Sequence, residues 1–335
     1  MKFDLICFTK KGCETALRLK DKLAPHKEEG GIDLRDMYFG GEKIPEGFED
    51  ALCPAKESIS GWIKKRFEEN RGIIFIGAMG ILVRSVSESI KDKLKDPPVI
   101  VMDDNGNYVI PVLSGHVGGA NEAALLIAKA IDAIPVITTS SDINDAFSAD
   151  LFAKQNNLKI INREGIKRVN RNAIEERKVT LSVKDYPPKD KVDVLVSDED
   201  EGEYLLRLSE KKYTVGVGLK KGISAEVLEE RIDKVLKENG IDRDDVFALC
   251  TIDIKEDEPA ILNYRDKYRI PVISFDKDIL NKAEGEFSSS DFVKEITGVD
   301  NVCERAAVIG AGRNGFLIVR KQAGEGITIA IAKHE

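Results

Sequence analysis

The feature that most constrains the fold of this chain is an alternation of short apolar runs with segments of helical periodicity. Lys2–Phe8 and Gly72–Gly77 are predicted strands, and Cys13–Leu23 and Gly118–Ile131 are predicted helices. Such alternation is typical of βαβ units, in which helices cover a mainly parallel sheet. We therefore predict an α/β fold made of three-layer α/β/α domains with mostly parallel sheets.

The strength of this alternation along the 335 residues predicts the domain boundaries. It is clear as far as residue 140, weak between 141 and 211, and clear again from 212 onward. We predict an N-terminal α/β domain at 1–140, a small α+β middle domain at 141–211 and a C-terminal α/β domain at 212–335. In the first domain, Asp104-Asn105-Gly106 separates two apolar runs, Pro98–Met102 and Tyr108–Pro111, and predicts a hairpin.

Charge and cysteine content argue against several classes of function. The net charge of −8 argues against a nucleic-acid-binding protein, since such proteins carry a basic face. Five cysteines without a Cys-x-x-Cys pair and three histidines do not supply a zinc-binding pattern, so we expect buried, reduced thiols and no bound metal. The longest apolar stretch, Ile73–Val83, is too short to cross a membrane, and no secretory signal is visible. We expect a cytoplasmic protein without membrane or nucleic-acid partners.

The first candidate site is a glycine-containing turn in the N-terminal domain. Gly77-Ala-Met-Gly80 lies where a predicted strand meets a helix that we expect to continue to about Ile90, and Arg84 follows one turn later. Glycine lets a ligand approach the backbone, and the N–H groups at a helix start attract anions. The alternative is a tight strand–helix turn with a surface arginine.

The second candidate, Ser114-Gly-His-Val-Gly-Gly-Ala-Asn121, is the sharpest feature of the sequence. It follows a predicted strand, and open α/β sheets bind ligands at the carboxyl ends of their strands. The side chain of His116 has an ordinary pKa near neutrality, so it is a candidate general acid or base, or a hydrogen-bonding partner for a substrate carboxylate. The alternative is a histidine that caps or packs a glycine-rich turn.

Two strand–loop–helix turns are the candidates in the C-terminal domain. Val215-Gly-Val-Gly218 and Lys220-Lys-Gly-Ile-Ser224 offer backbone donors and lysines that suit a polyanion, and Ser224 is a predicted helix N-cap. A capped helix with solvated lysines is the alternative. Thr251-Ile-Asp-Ile-Lys255 and the nearby Glu258 place both charge signs on the second loop. They indicate a substrate-facing rim, an acid/base pair, or charges that only neutralise each other.

Gly310-Ala-Gly-Arg-Asn-Gly315 matches the dinucleotide-binding pattern G-x-G-x-x-G but not its context. That pattern requires a strand before it and a helix after it. In this chain a helical segment, Asn301–Val308, comes first, and a predicted strand, Phe316–Arg320, follows. We interpret the pattern as a helix end followed by a turn.

Several of these segments, in the same order, resemble the cobalt-precorrin-5A hydrolases of anaerobic cobalamin biosynthesis. The resemblance extends over nearly the whole chain and is weakest between 141 and 211. The matching segments are Gly77–Val86, Lys91–Asp96, Ile110–Asn121, Pro135–Asp142, Val215–Glu226, Thr251–Leu262, Gly298–Ala307 and Gly326–Lys333.

The resemblance implies a hydrolase that acts on a carbon–carbon bond. Water opens the δ-lactone of a ring-contracted cobalt corrinoid, and the extruded carbon leaves with its methyl group as acetaldehyde, which gives cobalt-precorrin-5B. Cobalt arrives inside the substrate, so no cofactor is expected. Helix starts at Gly77–Gly80, Gly115–Gly119 and Gly216–Gly222 are expected to receive the substrate's carboxylates. Catalytic roles are expected for His116, Asn121 and Glu258, and substrate binding for Gly77, Gly80, Arg84, Ser114, Gly115, Gly118, Gly119, Gly216, Gly218, Lys220, Ser224, Thr251 and Lys255.

The expected partner is the small cobalt-corrinoid molecule, held in a cleft between the first and last domains. A homodimer and transient contacts with neighbouring pathway enzymes are further expectations. The alternative function is a non-catalytic carrier or chaperone that holds the corrinoid intermediate. A nucleotide or phosphosugar binder is a second alternative, which the order of elements around Gly310–Gly315 disfavours.

Overall fold

The computed structural model describes residues 2–24, 31–139, 146–183 and 191–334, apart from the side chain of Phe292. The described residues form two compact units. The first unit contains the described residues up to 155 together with 163–181 and 192–194, and the second unit contains the remaining described residues. The predicted boundaries at 140 and 211, and a separately folding middle domain, stay predictions.

A seven-stranded sheet forms the centre of the first unit. Every strand pairing is parallel except that of the fifth and sixth strands, which form the predicted hairpin. The strands are β1 (Lys2–Cys7), β2 (Asp33–Phe39), β3 (Cys53–Pro54), β4 (Gly72–Ile76), β5 (Val99–Met102), β6 (Tyr108–Leu113) and β7 (Ile134–Pro135). Their order is β3-β2-β1-β4-β5-β6-β7.

Helices cover both faces of this sheet, which confirms the predicted three layers. They are α1 (Lys10–Leu23), α2 (Ile59–Glu68), α3 (Met79–Val86) and α4 (Ala120–Ile131). The helices α1 and α4 bury Leu19 and Ile127 against one face, and α2 and α3 bury Trp62 and Leu82 against the other. The central strands β1 and β4 are buried on both faces, and this is why they are nearly continuous apolar runs.

The segment from 146 to 209 combines helices with a small sheet, which matches its predicted α+β content. Its helices are α5 (Ala149–Gln155) and α6 (Arg163–Ile174). Its strands are β8 (Lys159–Ile160), β9 (Leu181–Val183), β10 (Val192–Val196) and β11 (Tyr204–Ser209), in the order β8-β11-β10-β9.

A five-stranded sheet forms the centre of the second unit. Its strands are β12 (Tyr213–Leu219), β13 (Val246–Ile252), β14 (Val272–Phe275), β15 (Phe316–Gly324) and β16 (Ile327–Lys333), in the order β14-β13-β12-β16-β15. The strands β12, β13 and β14 are parallel, whereas β16 is antiparallel to both β12 and β15. The prediction of mostly parallel sheets therefore describes the first unit better than the second, where a hairpin supplies two strands.

Helices also cover both faces of the second sheet. They are α7 (Ala225–Glu238), α8 (Pro259–Tyr268), α9 (Lys277–Asn281), α10 (Asp291–Thr297) and α11 (Val302–Gly310). Leu228 of α7 and Ile261 of α8 belong to one core, and Leu280 of α9 and Ala306 of α11 belong to a core on the other face. Because α11 ends at Gly310 and β15 follows, the rejection of Gly310–Gly315 as a dinucleotide site is confirmed in its structural context.

Candidate functional site

The two glycine-containing turns of the first unit lie at opposite edges of its sheet. Gly77 follows the end of β4 and donates its N–H to the carbonyl of Met102, the last residue of β5, at 2.9 Å. Ser114 follows Leu113, which pairs with Val99, the first residue of β5. The hairpin causes this separation because it reverses the direction of β6. The second turn is therefore not at the edge where the parallel strands of this sheet end, and that part of the interpretation is wrong.

The turn at Gly77–Gly80 lies where the strand order reverses, between β1 and β4. Open α/β sheets bind ligands at such points. The helix α3 begins at Met79, and its N-cap residue, Ala78, makes no side-chain capping bond. The exposed Arg84 folds back towards this start, since its Nη1 would lie 3.6 Å from a Cβ atom added to Gly80. A guanidinium group beside an uncapped helix start suits a carboxylate ligand.

The turn from Ser114 to Gly119 is closed by its own backbone. Gly119 precedes α4 with a left-handed φ of 83°. The N–H groups of Ala120 and Asn121, at the helix start, donate to the carbonyls of Ser114 and Gly115 at 3.1 Å each. Because these protein carbonyls already accept the two N–H groups, the helix start does not offer them to an anion. These two N–H groups therefore do not support an anion site, and the anion-receiving role of this turn stays a prediction.

Packing explains the glycines of this turn and the position of Asn121. A Cβ atom on Gly115 would lie 2.7 Å from Oδ1 of Asn121, and one on Gly118 would lie 2.3 Å from Cβ of Ser114. Asn121 is 6% exposed, and its Nδ2 donates to Oγ1 of Thr139 at 3.1 Å. A catalytic role for Asn121 stays a prediction, and in the structure its buried side chain packs against Gly115. It holds the turn that carries His116.

His116 lies at one end of a chain of polar contacts. Its Nδ1 is 3.4 Å from Oγ of Ser148, and that hydroxyl donates to Oδ1 of Asp150 at 2.9 Å. Asp150 is 4% exposed and also accepts from Nδ2 of Asn170 at 3.0 Å. Nζ of Lys93 is 3.6 Å from its other oxygen. A half-buried imidazole is therefore connected through a hydroxyl to a buried carboxylate.

Asp150 is ionised at neutral pH. Burial raises the pKa of this carboxyl, but the hydrogen bond from Asn170, the charge of Lys93 and the hydrogen bond from Ser148 outweigh burial. The resulting pKa lies below the ordinary value of 3.8.

Sequence reasoning identified His116 but not its partners in this chain. The signal that could have indicated Ser148 and Asp150 is the pattern Ser-x-Asp at the start of a predicted helix, since such residues favour helix N-termini. Lys93 belongs to Lys91–Asp96, a segment that the resemblance marked without assigning a role.

The segment Lys91–Asp96 holds Lys93 in place. The buried carboxylate of Asp96 accepts the N–H groups of Lys91 and Asp92 at 3.0 Å each, which closes the segment into a turn. The side chain of Asp92 pairs with Arg163, the first residue of α6. Both contacts fix the turn that carries Lys93, whose side chain extends to Asp150.

Two glycines predicted to bind substrate in the second unit lie inside a strand. Gly216 and Gly218 belong to β12, which continues to Leu219. A Cβ atom on Gly216 would lie 1.8 Å from the carbonyl oxygen of Cys303 on α11, and one on Gly218 would lie 2.6 Å from Oγ1 of Thr328. These glycines let a helix and a neighbouring strand approach β12 closely. The prediction that they lie in a turn is wrong.

Thr251 and Ser224 also have structural partners. Thr251 is 1% exposed and donates from Oγ1 to the carbonyl of Val217 at 2.8 Å, which connects β13 to β12. The structure thus contradicts an exposed, substrate-binding hydroxyl at Thr251. Ser224 is the N-cap of α7 and accepts the N–H of Val227, as predicted.

The remaining charged candidates of the second unit lie on loops that meet at the carboxyl ends of β12 and β13. Nζ of Lys255 is 2.9 Å from Oε1 of Glu258, and the loop residue Gly222 donates its N–H to the same carboxylate. The hydrogen bond from Lys255 is the main cause of the lowered pKa of Glu258. Lys220 is exposed on the first loop. Lys255 and Glu258 neutralise each other, which is one of the alternatives predicted for this loop. A catalytic role for Glu258 stays a prediction.

The residues that the structure describes show neither a metal-binding cluster nor a membrane-spanning helix. Within those ranges, no group of three or more His, Cys, Asp or Glu residues is arranged to hold a metal ion. No helix in the same ranges has both the length and the apolar character needed to cross a membrane. Among the cysteines, Cys53 is exposed, so the expectation of uniformly buried thiols is wrong at that position. The expected cleft between the first and last domains stays a prediction.

Comparisons with known proteins agree with one another. The family described as Cobalamin synthesis G N-terminal matches residues 61–142, and Cobalamin synthesis G C-terminus matches residues 213–332. A cobalt-precorrin-5A hydrolase from Priestia megaterium is 32% identical over 364 residues, which cover 98% of this chain and 94% of that protein. One from Salmonella typhimurium is 27% identical over 319 residues, covering 88% and 90%.

A solved structure is also similar to this chain. The crystal structure of a cobalamin biosynthesis protein G homolog from Sulfolobus solfataricus aligns with 100% of this chain and 97% of its own, at 22% identity and a TM-score of 0.41. The assignment to a family depends on the sequence identity to the Priestia protein across nearly the full length of both chains. The chain belongs to the cobalt-precorrin-5A hydrolase family.

Proposed function

We propose that this protein hydrolyses cobalt-precorrin-5A. The observation that carries the proposal is the 32% identity to a cobalt-precorrin-5A hydrolase across nearly all of both chains. The chain of contacts at His116 supports it, because hydrolysis needs a positioned acid or base. The cobalt is part of the substrate, and we propose no resident cofactor.

The proposed reaction has two bond-breaking steps. Water adds its oxygen to the lactone carbonyl carbon, and the ring C–O bond breaks to leave a carboxylate and a hydroxyl on the two-carbon unit. That hydroxyl then gives its proton to a base while the bond to the macrocycle breaks. The electron pair of this bond passes into the conjugated cobalt macrocycle, and acetaldehyde leaves.

His116 is the proposed base in both steps. In the first step its imidazole removes a proton from the attacking water and returns it to the ring oxygen as the C–O bond breaks. The new carboxyl group loses its own proton to solvent, and in the second step the neutral imidazole accepts the proton of the freed hydroxyl. An imidazole suits this role because its ordinary pKa lies near neutral pH.

Substrate binding is proposed for the start of α3. Arg84 and the uncapped N–H groups at this helix start suit a peripheral carboxylate of the corrinoid. Next to them α3 exposes three apolar side chains, Met79, Ile81 and Val83, which suit an apolar part of the macrocycle. This helix start and His116 lie at opposite edges of the sheet. Substrate binding at Arg84 and base catalysis at His116 are therefore tested with separate variants.

The test is acetaldehyde release from purified cobalt-precorrin-5A, measured together with the mass of the corrinoid product. The wild type should release one acetaldehyde per macrocycle. His116→Ala should lower kcat by about 10²–10⁴-fold, the range expected for loss of a general base. Arg84→Ala should mainly raise KM, because it removes a contact made with the bound substrate and not with the reacting atoms.

His334→Gln is the matched control for His116→Ala. His334 lies in the second unit with its ring 5.1 Å from that of Phe247, and it has no role in the proposed chemistry. This variant should keep the wild-type kcat. If the wild type binds the corrinoid tightly without releasing acetaldehyde, the protein is a carrier and the hydrolase proposal fails.

A further inference from the structure

Ser148 lies between His116 and Asp150, and the proposed reaction has not used it. Its Oγ is 3.4 Å from Nδ1 of His116 and 2.9 Å from Oδ1 of Asp150. A hydroxyl carries one proton, so it donates to one of these neighbours and can only accept from the other. The direction of this bond decides which ring nitrogen of the neutral imidazole carries its proton.

Asp150 determines the direction. At neutral pH it is a carboxylate, and a carboxylate only accepts hydrogen bonds. The proton of Ser148 is therefore directed to Asp150, and its oxygen accepts from Nδ1–H of His116. The donors Asn170, at 3.0 Å, and Lys93, at 3.6 Å, stabilise Asp150 in its charged form.

We propose that Ser148 and Asp150 are positioning residues that hold neutral His116 in its Nδ1–H tautomer. In this tautomer Nε2 carries the lone pair that can accept a proton, whereas free histidine favours the opposite tautomer. The use of Nε2 as the base rests on the proposed function, but the tautomer does not. The same chain also gives Lys93 of the Lys91–Asp96 segment a role, because its ammonium group supports the charge on Asp150.

A second carboxylate in the same unit provides a matched control. Asp193 accepts from Oγ1 of Thr180 at 2.8 Å and from Nδ2 of Asn172 at 2.9 Å. Burial raises the pKa of Asp193, but hydrogen bonds from the backbone N–H and the hydroxyl of Thr180 and from Asn172 lower it below the ordinary value, as at Asp150. Asn172 and Asn170 both lie on α6. Thr180→Ala therefore removes a similarly bonded hydroxyl from a carboxylate that is less buried than Asp150 and does not support a histidine in the described structure.

The direct test is nitrogen NMR of protein labelled with ¹⁵N-histidine, recorded at a pH where the imidazole is neutral. The chain has three histidines, and the spectrum of His116→Gln identifies the signals of His116. In the wild type, His116 should carry its proton on Nδ1. In Ser148→Ala it should shift towards the Nε2–H tautomer, while Ser148→Thr, which keeps a hydroxyl, should restore the wild-type pattern. Thr180→Ala should leave it unchanged.

Kinetics with cobalt-precorrin-5A provide the second readout. Ser148→Ala should lower kcat about ten- to a hundredfold with little change in KM, a smaller loss than that from removing the base itself. Ser148→Thr should recover most of this loss, which separates a lost hydroxyl from a misfolded protein.

The outcomes distinguish the two proposals. An Nε2–H tautomer in the wild type, or an unchanged tautomer in Ser148→Ala, overturns the positioning role whatever the activity. If the tautomers behave as expected but the wild type releases no acetaldehyde, the positioning role is supported and the proposed function fails.

Discussion

Replacing Asp4 by asparagine tests how the first unit is held together. Asp4 is fully buried in β1, and its carboxylate lies 3.1 Å from Nε of Arg66 and 3.3 Å from Nη1 of Arg71. The side chain of Arg66 is 5% exposed, and its guanidinium lies over the rings of Tyr38, at 4.5 Å, and Trp62, at 4.2 Å. The buried guanidinium therefore depends on Asp4 for its counter-charge.

The expected cost follows from this burial. Removing one partner of a buried ion pair leaves an uncompensated charge away from water, which typically costs about 3–5 kcal/mol. Asparagine can still accept one hydrogen bond through its amide oxygen, so we expect a value near the lower limit of this range. Folded domains are stable by only about 5–15 kcal/mol, so the loss is large but need not prevent folding.

An exposed pair in the same sheet is the control. Asp33, at the start of β2, lies 3.0 Å from Arg35, and the two side chains are 38% and 42% exposed. Water already solvates these charges, so Asp33→Asn should cost at most about 1 kcal/mol.

Urea unfolding followed by circular dichroism and tryptophan fluorescence measures both variants. Urea is preferred to guanidinium chloride, because the salt would screen the exposed pair. The single tryptophan, Trp62, contacts Arg66 and reports directly on the first unit. Equal losses for Asp4→Asn and Asp33→Asn would refute the reasoning from burial.

Three further predictions use the same structure. Gly216→Ala should destabilise the protein by about 3 kcal/mol or more in urea unfolding, because its Cβ would meet a helix carbonyl at 1.8 Å, whereas Gly80→Ala, which has room, should be neutral or slightly stabilising. Asp150→Asn should lower the free energy of unfolding at neutral pH. Since the folded-state pKa of Asp150 is below 3.8, the wild-type advantage should disappear in pH-dependent unfolding as the pH falls below that value. Under native conditions a thiol reagent should modify Cys53 alone, because the other four cysteines are buried and burial raises the pKa of Cys250 to about 12; rapid modification of a second thiol would contradict this.

Much of the fold was predictable because buried strands and helices leave strong patterns. The strands β4 and β13 are nearly continuous apolar runs, and α7 combines a serine N-cap with a helical period. The strand β2 was missed because Asp33, Arg35 and Asp36 interrupt its apolar residues. The helix α3 is shorter than predicted, ending at Val86.

The candidate site was less predictable, because it depends on contacts between distant parts of the chain. A glycine that lets a helix pack closely against a strand, such as Gly216, has the same sequence pattern as a glycine that lets a ligand approach the backbone. The Asn-Gly hairpin was correctly predicted, and a hairpin reverses its second strand, so the position of Ser114–Asn121 at the opposite edge could have been inferred from the sequence. Ser148 and Asp150 lie more than thirty positions along the chain from His116, and only the fold brings them together.

The most direct test of the account follows the oxygen of water into the product. Cobalt-precorrin-5A is incubated with the protein in ¹⁸O-labelled water, and the corrinoid is analysed by mass spectrometry while acetaldehyde is quantified. We predict one heavy oxygen in the new carboxylate of the macrocycle and one acetaldehyde per macrocycle, with both lost together in His116→Ala. Acetaldehyde release without label in the macrocycle, or full activity in His116→Ala, would contradict the account.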